Sequence, residues 1–116
     1  MPYHKLDVYK KAYALALDVH KITLEFPKIE QYGLAQQLRA SSKSISANIV
    51  EGMGKQESKG EVKRFLRMSL GSCDETRMWL DFAKDLEYIS EKLYSELYDR
   101  YCEVGRMIRG VIKRYS

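Results

Sequence analysis

The sequence predicts an all-α fold: an up-down-up-down antiparallel four-helix bundle with short connections. Two observations carry this expectation. Apolar residues recur three and four positions apart along the whole chain, and no stretch alternates apolar with polar as a half-buried strand would. Prolines, glycines and capping residues then divide the 116 residues into four segments of about 20. At 13.6 kDa the chain can build one hydrophobic core, so residues 1–116 are expected to form a single domain.

The first helix is expected from Asp7, read as its N-cap. Val8, Ala12, Leu15, Val19 and Ile22 lie on one stripe, with Leu6, Tyr9, Tyr13 and Ala16 beside them, and Pro27 stops it. The second follows Gly33, with Leu34, Leu38, Ser41, Ile45, Ile49 and Gly52 on its inner face, and is expected to end at Gly52 and Gly54. Ser58 and Glu61 have the spacing of a capping box, which starts the third helix and carries it to about Leu86. Ser90 caps the fourth, whose seam is the cleanest: Leu93, Leu97, Tyr101, Val104, Ile108, Val111 and Tyr115.

No apolar run approaches the ~20 residues of a membrane span. The opening MPYHKLDVYKKAY is too charged for a signal peptide, so a cytoplasmic location without membrane contact is expected. Cys73 and Cys102 stand outside any Cys-x-x-Cys pattern, and His4 and His20 are isolated. They are read as packing residues, so no metal or cofactor is expected.

The stretch SSKSISANIVEGMGK, residues 41–55, is the one place where enzyme chemistry suggests itself. A phosphate-binding loop needs G-x-x-x-x-G-K-[ST]; here Ile49 occupies the first glycine position and Gln56 follows Lys55. A Ser-x-x-Lys acylation motif fails as well, since no serine stands three before Lys43 or Lys55. With no catalytic residues to name, a non-enzymatic protein is expected. As a helix, the segment places Gln37, Ser41, Ser44, Asn48 and Glu51 in a second stripe beside the apolar seam, where small side chains admit another helix closely. Asn48 then has two readings: it fixes register and partner number across a helix seam, or it caps a neighbouring carbonyl.

The segments "YGLAQQLRASSKSISANIVEG" and "FLRMSLGSCDE" resemble the signature of a small family named for proteins encoded in intervening sequences of bacterial 23S rRNA genes. Gly33, Leu34, Gln37, Leu38, Arg39, Ser44, Ile45, Asn48, Ile49, Glu51, Gly52, Leu70, Gly71 and Ser72 match it. Leu6, Val8 and the Phe26-Pro27 pair fit too, so the resemblance covers nearly the whole chain. Val50 and Met53 depart from the expected alanine and aromatic residue, which are packing changes. The resemblance implies a four-helix bundle assembling into a ring, typically a pentamer, without known enzymatic activity. A more distant relative is the accessory protein of diversity-generating retroelements, which works beside a reverse transcriptase and nucleic acid.

The third helix suggests assembly independently. Val62, Phe65, Leu66, Cys73, Leu80 and Ala83 fill a core arc, yet Met68, Trp79, Phe82 and Leu86 fall in an adjoining arc where a lone bundle should be polar. The combined apolar face spans roughly 200°, about twice that of a helix with one buried side. Either the core wraps further round, or Met68, Trp79 and Phe82, with Asn48, mark a homo-oligomer interface.

The formal charge is +4 and the pI about 9.0, but its distribution matters more. In the expected topology, residues 1–15, 44–71 and 104–116 share one end, with twelve lysines and arginines against four acids, a net of +8. The remainder holds eight against twelve, a net of −4. Lys59, Lys63 and Arg67 step along one helix and Arg106, Arg109 and Lys113 along the next; Lys55, Arg64 and Arg114 complete the set. Such a basic end suits the phosphate backbone of RNA or DNA, with Tyr3, Tyr9 or Tyr115 available for stacking. The alternatives are an ordinary solvated basic surface, or a scaffold docking an acidic protein partner such as a polymerase-like enzyme.

Overall fold

The computed structural model describes residues 2–116. Four helices run Asp7–Leu24 (α1), Leu34–Met53 (α2), Lys59–Asp85 (α3) and Glu91–Arg114 (α4), with single 3-10 turns at Tyr3–Lys5 and Lys28–Glu30; there is no strand among the described residues. Sequential neighbours pack in a cycle, α1 on α2, α2 on α3, α3 on α4 and α4 on α1, while the diagonal pairs do not meet. This is the predicted up-down-up-down bundle, elongated at 45 × 24 × 20 Å.

Each helix contributes its predicted apolar stripe to one continuous core. Val8, Ala12, Leu15 and Val19 of α1, Leu38, Ile45 and Ile49 of α2, Val62, Leu66 and Leu80 of α3, and Leu97, Val104 and Ile108 of α4 belong to the same buried cluster. The α2–α3 seam is different in character. Ser41 Oγ accepts from Thr76 Oγ1 at 2.9 Å, the Ser44 and Ser72 hydroxyls lie 2.9 Å apart, and Ser69 Oγ donates to the Ile45 carbonyl at 2.7 Å. Small hydroxyl side chains bring the two backbones close and satisfy one another, so burying them costs little. The stretch 41–53 is therefore helical, and the helix its small residues admit is α3 of the same chain.

Three details of the expected boundaries are corrected. Asp7 is the first residue of α1 and not its cap; Leu6 occupies the cap position without a side-chain bond, because its side chain is an anchor in the core. Gly52 does not end α2. It is buried within the helix, where an added Cβ would lie 3.4 Å from both Phe65 Cβ and the Val62 carbonyl, so its smallness serves the approach of α3; only Gly54 caps. The capping box is half-formed. Ser58 Oγ accepts from Glu61 N at 3.3 Å, but Ser58 N bonds the Lys55 carbonyl and the Glu61 carboxylate turns to Arg64. At Ser90 the predicted cap is made, with Leu93 N donating to its hydroxyl at 3.0 Å.

Between α3 and α4, Tyr88 N bonds the Ala83 carbonyl and Glu87 N the Lys84 carbonyl, the paired closure of a Schellman motif. The left-handed position in it is held by Glu87, at φ 65°.

Candidate nucleic-acid interface and assembly face

The basic residues are sorted by the helix pairing. Arg77 and Cys102 touch across α3 and α4, the guanidinium donating to the thiol at 3.4 Å. Leu70 reaches the Gly105 backbone in the same groove. Arg67 and Lys63 lie one and two turns before Leu70 on that flank of α3, while Arg106, Arg109 and Lys113 follow Cys102 by four, seven and eleven residues on α4. The two ladders therefore border one groove at the same end of the bundle, continued by Lys59 at the start of α3. Lys63 is half-buried and the other five are exposed.

The remaining three candidates point elsewhere. Arg64 pairs with Glu61 at 2.8 Å and lies over the Phe65 ring, 4.4 Å from its centroid, with Lys55 6.0 Å away on the same ring. The Arg64 hydrogen bond draws the Glu61 pKa below its ordinary value. Arg114 borders a cleft of about 340 Å³ with Lys5, Asp7 and Gly110, between the start of α1 and the end of α4.

Density of basic groups, rather than pairing alone, distinguishes this end: unpaired lysines such as Lys21, Lys28 and Lys92 occur elsewhere, but among more acids. Among the described residues Lys59, Lys63, Arg67, Arg106, Arg109 and Lys113 have no carboxylate within ion-pair distance. Some basic groups elsewhere do: Arg100 pairs with Asp18 at 3.1 Å, Lys11 with Glu103 at 3.2 Å, and Arg77 with Asp74. Six like charges bordering one groove without internal neutralisation repel one another, and an anion relieves that repulsion.

Of the aromatics proposed for stacking, Tyr115 is half-buried and donates to Gln56 Oε1 at 2.8 Å, a packing role. Tyr9 is half-buried too; burial, then the neighbouring Tyr3 and Tyr13, raise its pKa. Tyr3 stacks on His4, so His4 is not the isolated residue that the sequence suggested. Nor is His20, whose Nδ1 accepts from the Lys43 ammonium at 2.9 Å. The two thiols remain separate. Cys73 is buried, donates to the Tyr101 carbonyl at 3.2 Å and is pushed up to about 11 by burial, the reverse of an activated nucleophile.

The predicted assembly residues lie along the outer edge of the α2–α3 seam. Met68 and Phe82 are about half exposed, at 46% and 49%. Trp79 is half-buried, packs against the core, sits 5.7 Å from Phe82 and donates to Glu75 at 3.0 Å. Asn48 donates to the Ser44 carbonyl at 2.9 Å and to its hydroxyl at 3.1 Å; its own carbonyl accepts nothing among the described residues. A second apolar stripe runs on the other side of α2: Tyr13, expected beside the core stripe of α1, with Leu17 and Leu24, all about half exposed. Between these stripes the exposed positions of α2 include Gln36, Gln37, Ala40 and Ala47, with Lys43 tied to His20 and Glu51 near the end. This side of the bundle is therefore less charged than the others, with Lys43 and Glu51 on α2 and Arg64 and Glu75 beside Met68 and Trp79. The opposite side, along α4, carries Lys92, Glu96, Asp99, Arg100, Glu103 and Arg106.

Comparison with known proteins fits this architecture. The family model described as 23S rRNA-intervening sequence protein matches residues 4–110. The chain belongs to that family. A solved structure from the S23 ribosomal protein family, a protein of unknown function from Bacteroides thetaiotaomicron, superposes with a TM-score of 0.85 at 24% identity, covering 97% of this chain and 99% of its own. That likeness concerns the fold alone. No curated protein is a significant match. No helix among the described residues is long and apolar enough to cross a membrane.

Proposed function

We propose that this intervening-sequence protein is a non-enzymatic, self-assembling bundle that binds the phosphate backbone of RNA or DNA through its basic end. The observation that carries the reading is the concentration of unpaired basic residues at one end, Lys59, Lys63 and Arg67 on α3 and Arg106, Arg109 and Lys113 on the neighbouring α4. Solvated basic surfaces usually carry acids interspersed with them; a groove lined by one sign attracts counter-ions, and phosphates spaced along a strand replace several at once. Self-assembly is supported by the half-exposed Tyr13, Leu17, Leu24, Met68 and Phe82 flanking α2, since contiguous exposed apolar areas mark interaction sites. The ring of five implied by the family resemblance would repeat the basic groove around one rim.

The test exchanges charge at matched number. Lys63→Gln, Arg67→Gln and Arg109→Gln together should weaken binding to unrelated RNA and DNA sequences alike, because phosphate contacts position without reading bases. Lys21→Gln, Lys28→Gln and Lys92→Gln, all exposed and unpaired at the acidic end, should leave it unchanged. Equal losses from both sets would refute the groove. Failure of the unsubstituted protein to bind either nucleic acid at low salt would leave the acidic-partner scaffold as the better account.

A further inference from the structure

We propose that the basic end takes single-stranded nucleic acid in preference to duplex, because Tyr3 and His4 form a stacking platform for an unpaired base. This rests on the reading of that end as a nucleic-acid surface and names the class of ligand. The two rings are stacked, 4.0 Å between centroids and 27° between planes. Tyr9 supports them edge-on, 4.9 Å from Tyr3 at 71° and 6.1 Å from His4 at 73°.

The platform is held in place by the backbone beneath it. Lys5 N bonds the Pro2 carbonyl at 3.1 Å and Leu6 N the Tyr3 carbonyl at 3.0 Å, closing the 3-10 turn, while Leu6 is buried in the core. Tyr3 is half-buried against that core and His4 is exposed. Among the described residues the only rings near His4 are Tyr3 and Tyr9. Tyr3 covers one imidazole face and Tyr9 meets the ring near-perpendicularly, so a base stacked on the remaining face would extend an existing pile of rings.

Charge leads to the platform. Lys5, the next residue, borders the 340 Å³ cleft opposite Arg114, and Arg114 follows Lys113 at the end of the α4 ladder. A strand whose phosphates followed Lys113 and Arg114 round the end of α4 would meet Lys5, the residue next to His4. Every base has a π-face to offer there, so the contact is indifferent to sequence. In a duplex those faces are stacked on neighbouring pairs and are unavailable, whereas the phosphates remain. The groove therefore binds either form, and the Tyr3–His4 platform adds affinity for the unpaired one.

The experiment measures binding by fluorescence anisotropy at one salt concentration. The probes are a mixed-sequence 20-nucleotide RNA strand, the DNA strand of the same sequence, and the DNA duplex. His4→Ala, and separately Tyr3→Ala with His4→Ala, should weaken both single strands by at least about fivefold, the lower end of a base–aromatic stack, and change the duplex by less than twofold. The salt dependence should keep its slope, since no phosphate contact is removed. His4→Phe, which keeps a flat ring, should retain the affinity. The single His4 substitution guards against loss of the terminal turn, and helical circular dichroism reports on the bundle. Equal losses for strand and duplex, a loss confined to RNA or to DNA, or no loss at all would overturn the platform while leaving the basic groove intact. If the unsubstituted protein binds none of the probes, the basic-end reading itself is wrong and the platform falls with it.

Discussion

Tyr101→Phe should stabilise the protein. Tyr101 is fully buried, and its hydroxyl finds no hydrogen-bond partner among the described residues. A buried polar group left unsatisfied costs about 1–3 kcal/mol relative to its solvated state, and removing it recovers that cost. The ring still fills the same space, and the lost dispersion contacts of one oxygen are worth only a few times ~0.1 kcal/mol. A net gain of about 1 kcal/mol is a conservative expectation. With ~2.1 cal/mol/K of unfolding entropy per residue, a chain of 116 residues converts this into a rise in Tm of about 4 °C at fixed protein concentration. Urea unfolding at pH 7 should show a raised midpoint with an unchanged slope.

A second readout comes from alkali. Burial raises the pKa of the Tyr101 phenol above its ordinary 10.0 and that of Cys73 from 9.0 to about 11. The folded protein thus holds these protons after the unfolded chain has released them. Stability from this source is fully present below about pH 9 and declines as pH rises towards 11 and beyond. Tyr101→Phe should make the decline shallower above pH 10, leaving the Cys73 share. A variant less stable by 1 kcal/mol or more at pH 7, or one with the same alkaline decline, would show that the hydroxyl is satisfied in the folded protein and refute the argument.

Glu87→Gly should stabilise by about 1 kcal/mol in the same melts, because glycine adopts the left-handed C′ position without the Cβ clash that Glu87 carries at φ 65°; a destabilised variant would mean that the glutamate side chain contributes more than its strain costs. Phe82→Glu and Leu17→Glu, on opposite flanks of α2, should each give smaller species by light scattering with helicity retained, since both side chains are about half exposed and lie outside the core; a protein already monomeric at micromolar concentration would contradict the assembly face. Asn48→Leu removes only the two local bonds to Ser44, so it should leave the melts within about 1 kcal/mol while broadening the distribution of oligomers. An unchanged single species would assign Asn48 to local capping.

The helices were legible because their signals are local. The α4 seam and the Ser58 and Ser90 caps depend on residues within two turns of one another. What differed depended on side-chain contacts that the helical pattern does not specify. Gly52 looks like a stop signal until Val62 and Phe65 pack on it. Glu61 looks like half of a reciprocal cap until Arg64, one turn on, competes for its carboxylate. Leu6 displaces Asp7 from the cap because burial in the core, not capping chemistry, fixes where the chain enters α1. The basic end could be read from charge and topology together, but not its internal sorting. Which ladders share a groove, and that Arg64 and Lys55 turn to Phe65, follows from the contact of α3 with α4 and of each side chain with its ring. The Tyr3–His4 stack had only the adjacency of two rings in a charged terminus as its signal. Tyr13 was placed beside the core because its stripe position is adjacent to Ala16, and only the rotation of α1 on α2 turns it outward.

The most direct test of a phosphate-binding basic end is the slope of log affinity against log salt for the unsubstituted protein on a mixed-sequence single strand. Engagement of the groove formed by Lys59, Lys63, Arg67, Arg106, Arg109 and Lys113 predicts a straight line whose slope corresponds to about −0.7 for each phosphate contacted, and a slope steeper than about −2 if at least three side chains engage. A flat line, or no binding at low salt, would contradict the account.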